Sequence, residues 1–341
     1  MKAAVIHAPH DLRIDDIAPA VMGPGDVTVR VRAGGICGSD LHYFHHGGFG
    51  AIRIREAMIL GHEIAGLVES VGANVTNVKP GDTVAVNPSL PCGHCRYCLA
   101  GQSHHCLDMR FYGSAMRFPH VQGGFREVLV CDASQAIPTT MAPERAAFAE
   151  PLSVCLHAAR QAGPLLGARV LITGAGPIGA LCAMVARHAG AREIIATDLI
   201  DAPLAVMKRV AADEVFNTRD NPTALEKYQA DKGIFDVAFE CSGAGPALVA
   251  ALAVVRPGAT IVQVGLGGDV TLPMNTVVAK EINLRGTFRF HEEFAWAVRF
   301  LETGALDVSP LLTEIVPLAD AVRAFELATD RAVAMKVQLA F

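Results

Sequence analysis

The chain has 341 residues, which exceeds one ordinary domain and suits two. About half of the residues (51%) are hydrophobic and 18% are charged, so sizeable buried cores can form. The formal net charge of -5 gives no reason to expect nucleic acid or an anionic membrane surface as a partner. No apolar run reaches the length of a membrane span, and the start of the chain lacks the pattern of a signal peptide. We therefore expect a cytoplasmic protein.

The first part of the chain is rich in patterns typical of β-strands. A helix is predicted to begin at 141–144, and another follows Glu150 and runs toward Gly163. We place a domain boundary near Glu150. The predicted strands lie at 2–7, 26–33, 83–86 and 123–130.

Two short motifs in this region combine the donor atoms of a metal site. Cys37 lies in a glycine-rich bend, and His62-Glu63 follows 25 residues later. Taken alone, Cys37 or His62 is typical of a buried structural residue. Together with a carboxylate they supply sulfur, nitrogen and oxygen, which is the mixed set of a catalytic zinc site with one open position.

Four cysteines then occur within fifteen residues, in the pattern C-x2-C-x2-C-x7-C. Four thiolates close a tetrahedral site with no vacancy, which is typical of structural zinc. An iron–sulfur cluster is the alternative, because similar spacings also bind clusters. The odd total of nine cysteines and the missing secretion signal favour metal over disulfides. The four candidate ligands are Cys92, Cys95, Cys98 and Cys106.

The stretch 168–198 predicts a dinucleotide-binding unit. A strand at 170–173 leads into G-x-G-x-x-G, a helix follows at 180–188, and a second strand at 193–197 ends in Asp198. The glycines allow a tight turn, close approach of a pyrophosphate and close packing of helix on strand. The helix N-terminus then faces the phosphates. The motif residues are Gly174, Gly176, Pro177, Ile178 and Gly179.

Asp198 stands where a carboxylate is expected to bind the adenosine ribose. An NADP site would favour a small residue there and an arginine beside it for the 2′-phosphate. Neither is present, since Leu199 and Ile200 follow. We therefore expect NAD in preference to NADP.

Strands and helices continue to alternate, which predicts a doubly wound parallel sheet with ligand at the C-terminal strand ends. Ser242, Gly243, Val264 and Leu266 follow such strands and are expected to border the ribose and nicotinamide. Residues 306–341 are expected to return to the first domain. Strands are predicted at 235–240, 259–264 and 282–290, and helices at 202–212, 247–255 and 292–303.

These motifs resemble the zinc-containing medium-chain alcohol dehydrogenase family, and within it the polyol branch that contains the sorbitol dehydrogenases. The resemblance covers essentially the whole chain. Segments 87–92, 108–116 and 118–120 are similar to the L-idonate 5-dehydrogenases in particular. The segments that carry the family resemblance are 35–43, 61–63, the four-cysteine loop, 148–154, the glycine motif and 284–290.

The resemblance implies an α/β protein with two domains. A GroES-like, partly β-barrel catalytic domain would occupy 1–149 and hold two zinc sites. A Rossmann NAD-binding domain would occupy 150–288, and 289–341 would return to the catalytic domain. It also implies a homo-oligomer, either a homodimer or a homotetramer.

The same resemblance implies roles for individual residues. Cys37 and His62 would be ligands of the catalytic zinc, and the third ligand would be Glu63 or Glu150. A proton relay would pass from Ser39 to His42, since imidazole titrates near neutral pH. Tyr43 would border the substrate, and Arg289 would border both cofactor and substrate.

The expected reaction is NAD-dependent oxidation of a secondary alcohol on a polyol or sugar acid, most specifically L-idonate to 5-keto-D-gluconate. A sugar acid needs a cation for its carboxylate, and Arg110, near Arg117 and His120, is the candidate. The alternatives are a sorbitol- or xylitol-type polyol dehydrogenase and an L-threonine 3-dehydrogenase-like enzyme. More distant alternatives are a zinc-free NADPH reductase and a binding protein that uses the cysteine loop for partner contacts.

Overall fold

A computed structural model describes every residue from Met1 to Phe341. The chain divides into two compact units. No helix in it combines the length and the apolar character needed to cross a membrane. The first unit comprises Met1–Glu150, Phe294–Asp330 and Lys336–Phe341, and the second comprises Pro151–Glu293 and Arg331–Met335.

The first 150 residues are mostly β-structure, as the alternating patterns predict. The strands are β1 (Lys2–Ala8), β2 (Asp11–Asp16), β3 (Asp26–Gly35), β4 (Gly48–Phe49), β5 (Ile52–Arg53), β6 (Met58–Ile59), β7 (Glu63–Val71), β8 (Thr83–Val86), β9 (Ser89–Leu90), β10 (Arg110–Phe111), β11 (Val128–Asp132) and β12 (Ala136–Thr139). The helices are α1 (Gly38–His46), α2 (Arg96–Leu99), α3 (Pro143–Ala146) and α4 (Ala149–Ala162).

The strand predicted at 123–130 is wrong in its first half, because β11 begins only at Val128. Gly123 instead donates its N–H to the Ile59 carbonyl at 2.7 Å, and Phe125 donates to the Leu60 carbonyl at 2.9 Å. A Cβ atom on Gly123 would lie 2.2 Å from the Leu60 carbonyl oxygen. The segment is therefore held against the chain just before His62, and pairing with β3 starts after it.

Residues 151–293 contain the alternating strands and helices that the sequence predicts. The strands are β13 (Arg169–Thr173), β14 (Glu193–Asp198), β15 (Glu214–Asn217), β16 (Phe235–Glu240), β17 (Val255–Gln263) and β18 (Asn283–Gly286). The helices are α5 (Pro177–His188), α6 (Asp201–Val210), α7 (Gly245–Val254) and α8 (Met274–Ala279).

These six strands form one parallel sheet in the order β15-β14-β13-β16-β17-β18. The order reverses direction beside β13, so the crevice for a dinucleotide lies at the ends of β13 and β16. Leu171, Ile195 and Ala238 pack in its core. The short strand β15 was not predicted, since only four half-buried or exposed residues form it.

The strand predicted at 282–290 is too long. β18 ends at Gly286, and Arg289 lies beyond it with a left-handed backbone (φ 55°). A strand requires extended backbone, so the positive φ angle excludes Arg289 from it. Pro257 and Gly258, which precede the strand predicted at 259–264, lie inside the irregular start of β17.

The last part of the chain returns to the first unit. Its elements are α9 (Glu293–Glu302), β19 (Leu312–Pro317), α10 (Ala321–Thr329) and β20 (Lys336–Ala340). β20 pairs with β3, and β19 pairs with β20, in the sheet β12-β8-β7-β3-β20-β19, where β11 also pairs with β3.

The second unit extends past the predicted bound of 288 to Glu293. Burial alone would raise the pKa of Glu293, but hydrogen bonds from His157, the backbone and Arg160 lower it to about 2. Those side chains belong to α4, in the second unit. The second unit also includes residues 331–335. The sequence predicted instead that these residues belong to the segment that returns to the first domain.

Two glycines of the nucleotide motif give a matched test of the fold. A Cβ atom on Gly179 would lie 1.9 Å from the Gly174 carbonyl oxygen, so Gly179→Ala is expected to reduce the free energy of unfolding by about 2 kcal/mol. Gly176 has an ordinary φ of −65°, and a Cβ atom added to it would have no neighbour within 4 Å. Gly176→Ala is therefore expected to leave the free energy of unfolding unchanged. Urea denaturation of both variants measures the difference, and equal losses would contradict the packing role of Gly179.

Candidate active site

The first candidate metal ligand, Cys37, lies at the N-cap of α1 with extended backbone. Its N–H donates to the Asp40 carboxylate at 3.0 Å, and the other oxygen of Asp40 accepts the Gly61 N–H at 3.2 Å. The buried Asp40 side chain therefore links the start of α1 to the chain just before His62.

Gly61 determines how the next two ligands are presented. Its φ of 92° is left-handed, and a Cβ atom there would lie 2.1 Å from the ring of Phe125, so only glycine fits. His62 and Glu63 follow at the start of β7 and are both buried. One donor atom each from Cys37, His62 and Glu63 lies within 4.8 Å of the other two.

The pKa shifts in this cluster show an excess of buried negative charge. Burial would lower the pKa of His62, but Asp40, Cys37 and Glu150 together raise it well above its ordinary value. Burial raises the pKa of Glu150 to about 7, which His62 opposes and Glu63 reinforces. Burial likewise raises the pKa of Asp40. A bound divalent cation would supply the missing positive charge.

Lys336 is the permanent cation of this cluster, and nothing in the sequence predicted it. Its ammonium lies 2.5 Å from the Glu63 carboxylate and 2.9 Å from the Ile36 carbonyl oxygen. Burial lowers the pKa of Lys336, but the negative charge of Glu63 and its neighbours outweighs this and raises it. No local signal marks Lys336, because it is 273 residues from Glu63.

The cluster fits a zinc ion. Nδ1 of His62 is buried and makes no hydrogen bond within the protein. Sulfur, nitrogen and oxygen donors in one buried set match catalytic zinc sites. Glu150 is close enough to affect the pKa of His62, but it lies outside the set of donors within 4.8 Å.

The four-cysteine loop forms a second, separate set of donors that also lie within 4.8 Å of one another. Its Sγ atoms are 3.6 Å apart for Cys95 and Cys98 and 4.0 Å apart for Cys92 and Cys98. Tetrahedral zinc with bonds of about 2.3 Å requires about 3.8 Å between sulfurs. Backbone N–H groups of Cys98 and Leu107 lower the pKa of Cys95 to about 6, which favours the thiolate.

Ser39, His42 and Tyr43 lie along α1, next to Cys37. Ser39 and His42 are three residues apart, so they are neighbours on one face of the helix. Burial and the nearby His46 lower the pKa of His42, which keeps its imidazole neutral at pH 7. The Tyr43 side chain is buried, and its hydroxyl accepts the Ala115 N–H at 3.0 Å. Its predicted contact with substrate stays a prediction.

The basic residues predicted to recognise a carboxylate make other contacts in the first unit. Arg110 lines a cavity of about 360 Å³ together with Tyr112 and Gln135, and no candidate zinc ligand lines it. Arg117 forms an ion pair with Asp108 at 2.8 Å. His120 is buried and accepts the Arg55 N–H at 2.8 Å. The structure therefore does not join these residues to the Cys37 cluster.

The glycine motif is arranged as the sequence predicts. α5 begins at Pro177 after Gly176, and no side chain caps its N-terminus, so its first N–H groups remain available to phosphate. A Cβ atom on Gly174 would lie 2.7 Å from the Ser242 nitrogen, which explains glycine there. Asp198 ends the neighbouring strand β14 and accepts the Ala175 N–H at 2.7 Å. Ile178 lies in the first turn of α5.

An arginine does lie beside Asp198, contrary to the expectation from the sequence. The Arg331 guanidinium contacts the Asp198 carboxylate at 2.5 Å. Arg331 comes from a loop 133 residues later, so the residues next to Asp198 in the sequence do not indicate it.

Glu240, at the end of β16, organises the other predicted cofactor residues. Its buried carboxylate accepts the N–H groups of Ser242 and Gly243 at 2.8 and 3.0 Å, and its carbonyl accepts the Val264 N–H at 2.8 Å. Leu266 follows with its side chain exposed. Glu240 thereby fixes two loops at the C-terminal edge of the sheet.

These two arrangements, a buried metal-binding cluster and a glycine-rich dinucleotide crevice, define a metal-dependent dehydrogenase. Residues 23–141 match the family model of the alcohol dehydrogenase GroES-like domain, and 177–303 match that of the zinc-binding dehydrogenases. The chain belongs to the zinc-binding alcohol dehydrogenase family. The predicted family and the α/β fold class, with GroES-like and Rossmann domains, are thereby confirmed.

Known relatives cover nearly the whole chain. L-idonate 5-dehydrogenase (NAD(P)(+)) of Escherichia coli strain K12 is 45% identical over 92% of this chain and 91% of its own length. D-xylulose reductase A of Aspergillus niger is 38% identical over 94% of this chain and 92% of its own. The crystal structure of L-idonate 5-dehydrogenase from Escherichia coli K-12 covers 100% of this chain and 98% of its own, with a TM-score of 0.96 and 41% identity.

The two donor sets predict two zinc ions per chain with separable roles. Cys98→Ser is expected to lose one zinc ion and to lower thermal stability, because structural zinc contributes folding energy. Cys37→Ser is expected to lose the other ion and all turnover while keeping the fold. Elemental analysis with thermal unfolding measures both effects. Cys131→Ser is the control, since burial raises the pKa of this thiol to about 12 and it lies outside both sets. One zinc ion or none in the carefully prepared parent protein would contradict the assignment.

Proposed function

We propose that this chain catalyses the NAD-dependent oxidation of a secondary alcohol on a sugar acid, converting L-idonate to 5-keto-D-gluconate. The observation that carries the proposal is the buried Cys37, His62 and Glu63 cluster in a chain 45% identical to an L-idonate 5-dehydrogenase. The alternative is a polyol dehydrogenase, which the 38% identity to D-xylulose reductase A supports.

Cys37, His62 and Glu63 would hold the catalytic zinc, which as a Lewis acid lowers the pKa of an alcohol when bound. Glu63 is favoured over Glu150 as third ligand because its carboxylate belongs to the donor set with Cys37 and His62, whereas that of Glu150 does not. The nicotinamide accepts the hydride, and that chemistry belongs to the cofactor.

The residues of α1 provide a route for the proton. Ser39, two residues after Cys37, would accept the alcohol proton at its hydroxyl oxygen and donate its own to a ring nitrogen of His42. His42 can accept this proton because its lowered pKa keeps it neutral at pH 7. The exposed part of His42 then releases the proton to water.

NAD is proposed as the preferred cofactor because Asp198 ends β14, where it meets a ribose hydroxyl better than a phosphate. We also propose a cytoplasmic location. All nine cysteines are free thiols, and the use of five of them as candidate metal ligands suits a reducing compartment.

The substrate is tested by measuring NAD reduction with L-idonate, gluconates, sorbitol, xylitol and L-threonine. L-idonate is expected to give the highest kcat/KM. Arg110→Ala is expected to change KM for L-idonate and for sorbitol little and equally, because Arg110 lines a cavity that no candidate zinc ligand lines. Arg117→Ala is the matched control, since its guanidinium pairs with Asp108. A higher kcat/KM for sorbitol or xylitol would identify a polyol dehydrogenase.

The proposed oligomer would form through the open edge of the parallel sheet. β18 is the edge strand, all four of its residues are exposed, and Leu284 on it is 41% exposed. The preceding helix α8 exposes Met274 and Val278. An uncovered apolar edge is typical of an interface, and a second copy offers the same edge in a two-fold arrangement.

Light scattering after size-exclusion chromatography tests this interface. The parent chain is expected to be a dimer or tetramer, and Leu284→Lys to shift it toward smaller species because it buries a charge at the edge. Val322→Lys, in α10 and similarly exposed, is the control. A monomeric parent chain would refute the proposal.

A further inference from the structure

The Asp198 carboxylate is fully engaged before any cofactor binds. Its Oδ1 accepts the N–H groups of Leu199 at 2.7 Å and Ile200 at 3.2 Å. Its Oδ2 accepts the Ala175 N–H at 2.7 Å and the Arg331 guanidinium at 2.5 Å. A carboxylate offers about four acceptor positions, so these four donors fill them.

Three of these four donors are backbone groups fixed by the fold, whereas Arg331 is a long side chain. Arg331 lies in the segment Arg331–Met335, which belongs to the second unit together with Asp198. Its side chain is 47% exposed, while that of Asp198 is 3% exposed. A guanidinium has five N–H donors, so the contact with Asp198 leaves most of them open to solvent or ligand.

This arrangement changes how each nicotinamide cofactor meets Asp198. The 2′-hydroxyl of NAD needs an acceptor position on the carboxylate, and the position that can be freed is the one held by Arg331. The 2′-phosphate of NADP would be repelled by a bare carboxylate. Here Arg331 neutralises that charge and offers N–H donors that match phosphate geometry.

We propose that Arg331 forms a subsite for the 2′-phosphate of NADP, so that the chain accepts NADP beside its preferred NAD. The inference rests on the proposed nicotinamide-dependent function. Cofactor choice then depends on the Asp198–Arg331 pair rather than on Asp198 alone. With NAD the guanidinium gives way to the ribose hydroxyl, and with NADP it turns its free donors to the phosphate.

Calorimetric titration with NADH, NADPH, 5′-AMP and 2′,5′-ADP tests the subsite without relying on turnover. Arg331→Gln is expected to weaken the binding of NADPH and 2′,5′-ADP by about tenfold or more, because charge-assisted hydrogen bonds to the 2′-phosphate are lost. Affinities for NADH and 5′-AMP are not expected to fall. The fold is expected to survive, since three backbone N–H groups still hold Asp198.

Two further variants sharpen the test. Asp198→Asn removes the repelling charge and frees Arg331, so NADPH is expected to bind more tightly, and adding Arg331→Gln is expected to cancel this gain. Arg323→Gln is the matched control, because Arg323 is a similarly exposed arginine paired with Glu314 in the first unit.

The outcomes separate this inference from the proposed function. Two outcomes would overturn the subsite alone, provided that the parent protein binds NADH tightly. In the first, Arg331→Gln weakens the binding of NADH and NADPH equally. In the second, Arg331→Gln weakens the binding of neither cofactor. Loss of NADPH binding in Arg219→Gln but not in Arg331→Gln would also overturn it, by placing the phosphate at the exposed loop after β15. Binding of neither NADH nor NADPH by the parent protein would overturn the proposed function itself.

Discussion

The first unit depends on neutralising the charge that it buries around its candidate metal ligands. Asp40, Glu63 and Glu150 are each at most 5% exposed, and Lys336 is the permanent cation among them. A buried ion that loses its partner costs several kcal/mol, so these charges can coexist only as a set. The fold supplies part of the compensation through Lys336, and a divalent cation supplies the rest. Because burial raises the pKa of Asp40 and Glu150, these groups can also be neutralised by protons, so metal binding stabilises this unit without being required for its fold.

The C-terminal part of the chain contributes one cationic side chain to each of the two units. Lys336 contacts Glu63 in the first unit, and Arg331, five residues earlier, contacts Asp198 in the second. In both cases a carboxylate that the sequence marks as functional gains a partner from the far end of the chain. The two pairs differ in exposure: the first is buried, so its lysine is fixed, while Arg331 is half-exposed and free to exchange partners. The first pair suits a permanent structural charge, and the second suits a contact that a ligand replaces.

Most of the fold could be predicted from the sequence, because local patterns encode it. The G-x-G-x-x-G turn, the strand at 235–240 and the doubly wound sheet follow from periodicity and glycine spacing. The prediction of a strand at 123–130 was wrong in its first half because the Gly123 N–H donates to the Ile59 carbonyl. The residues around Gly123 in the sequence do not indicate this contact. Asp40 and Glu240 were missed for a related reason. Their role appears only when the chain segments that their carboxylates bind are brought together.

The two metal sites show how the separation of ligands limits prediction. The four cysteines lie within fifteen residues, and backbone N–H groups of the same loop donate to their sulfurs, as Cys92 does to Cys106 at 3.2 Å. Almost all contacts of such a site lie within one short segment, so the spacing of the cysteines alone is enough to predict it. The Cys37 cluster draws on α1, the start of β7 and Lys336 of β20, so it exists only once the first unit has assembled its sheet. Its ligands were indicated by their donor types together with the family resemblance, whereas its charge balance could be seen only in three dimensions.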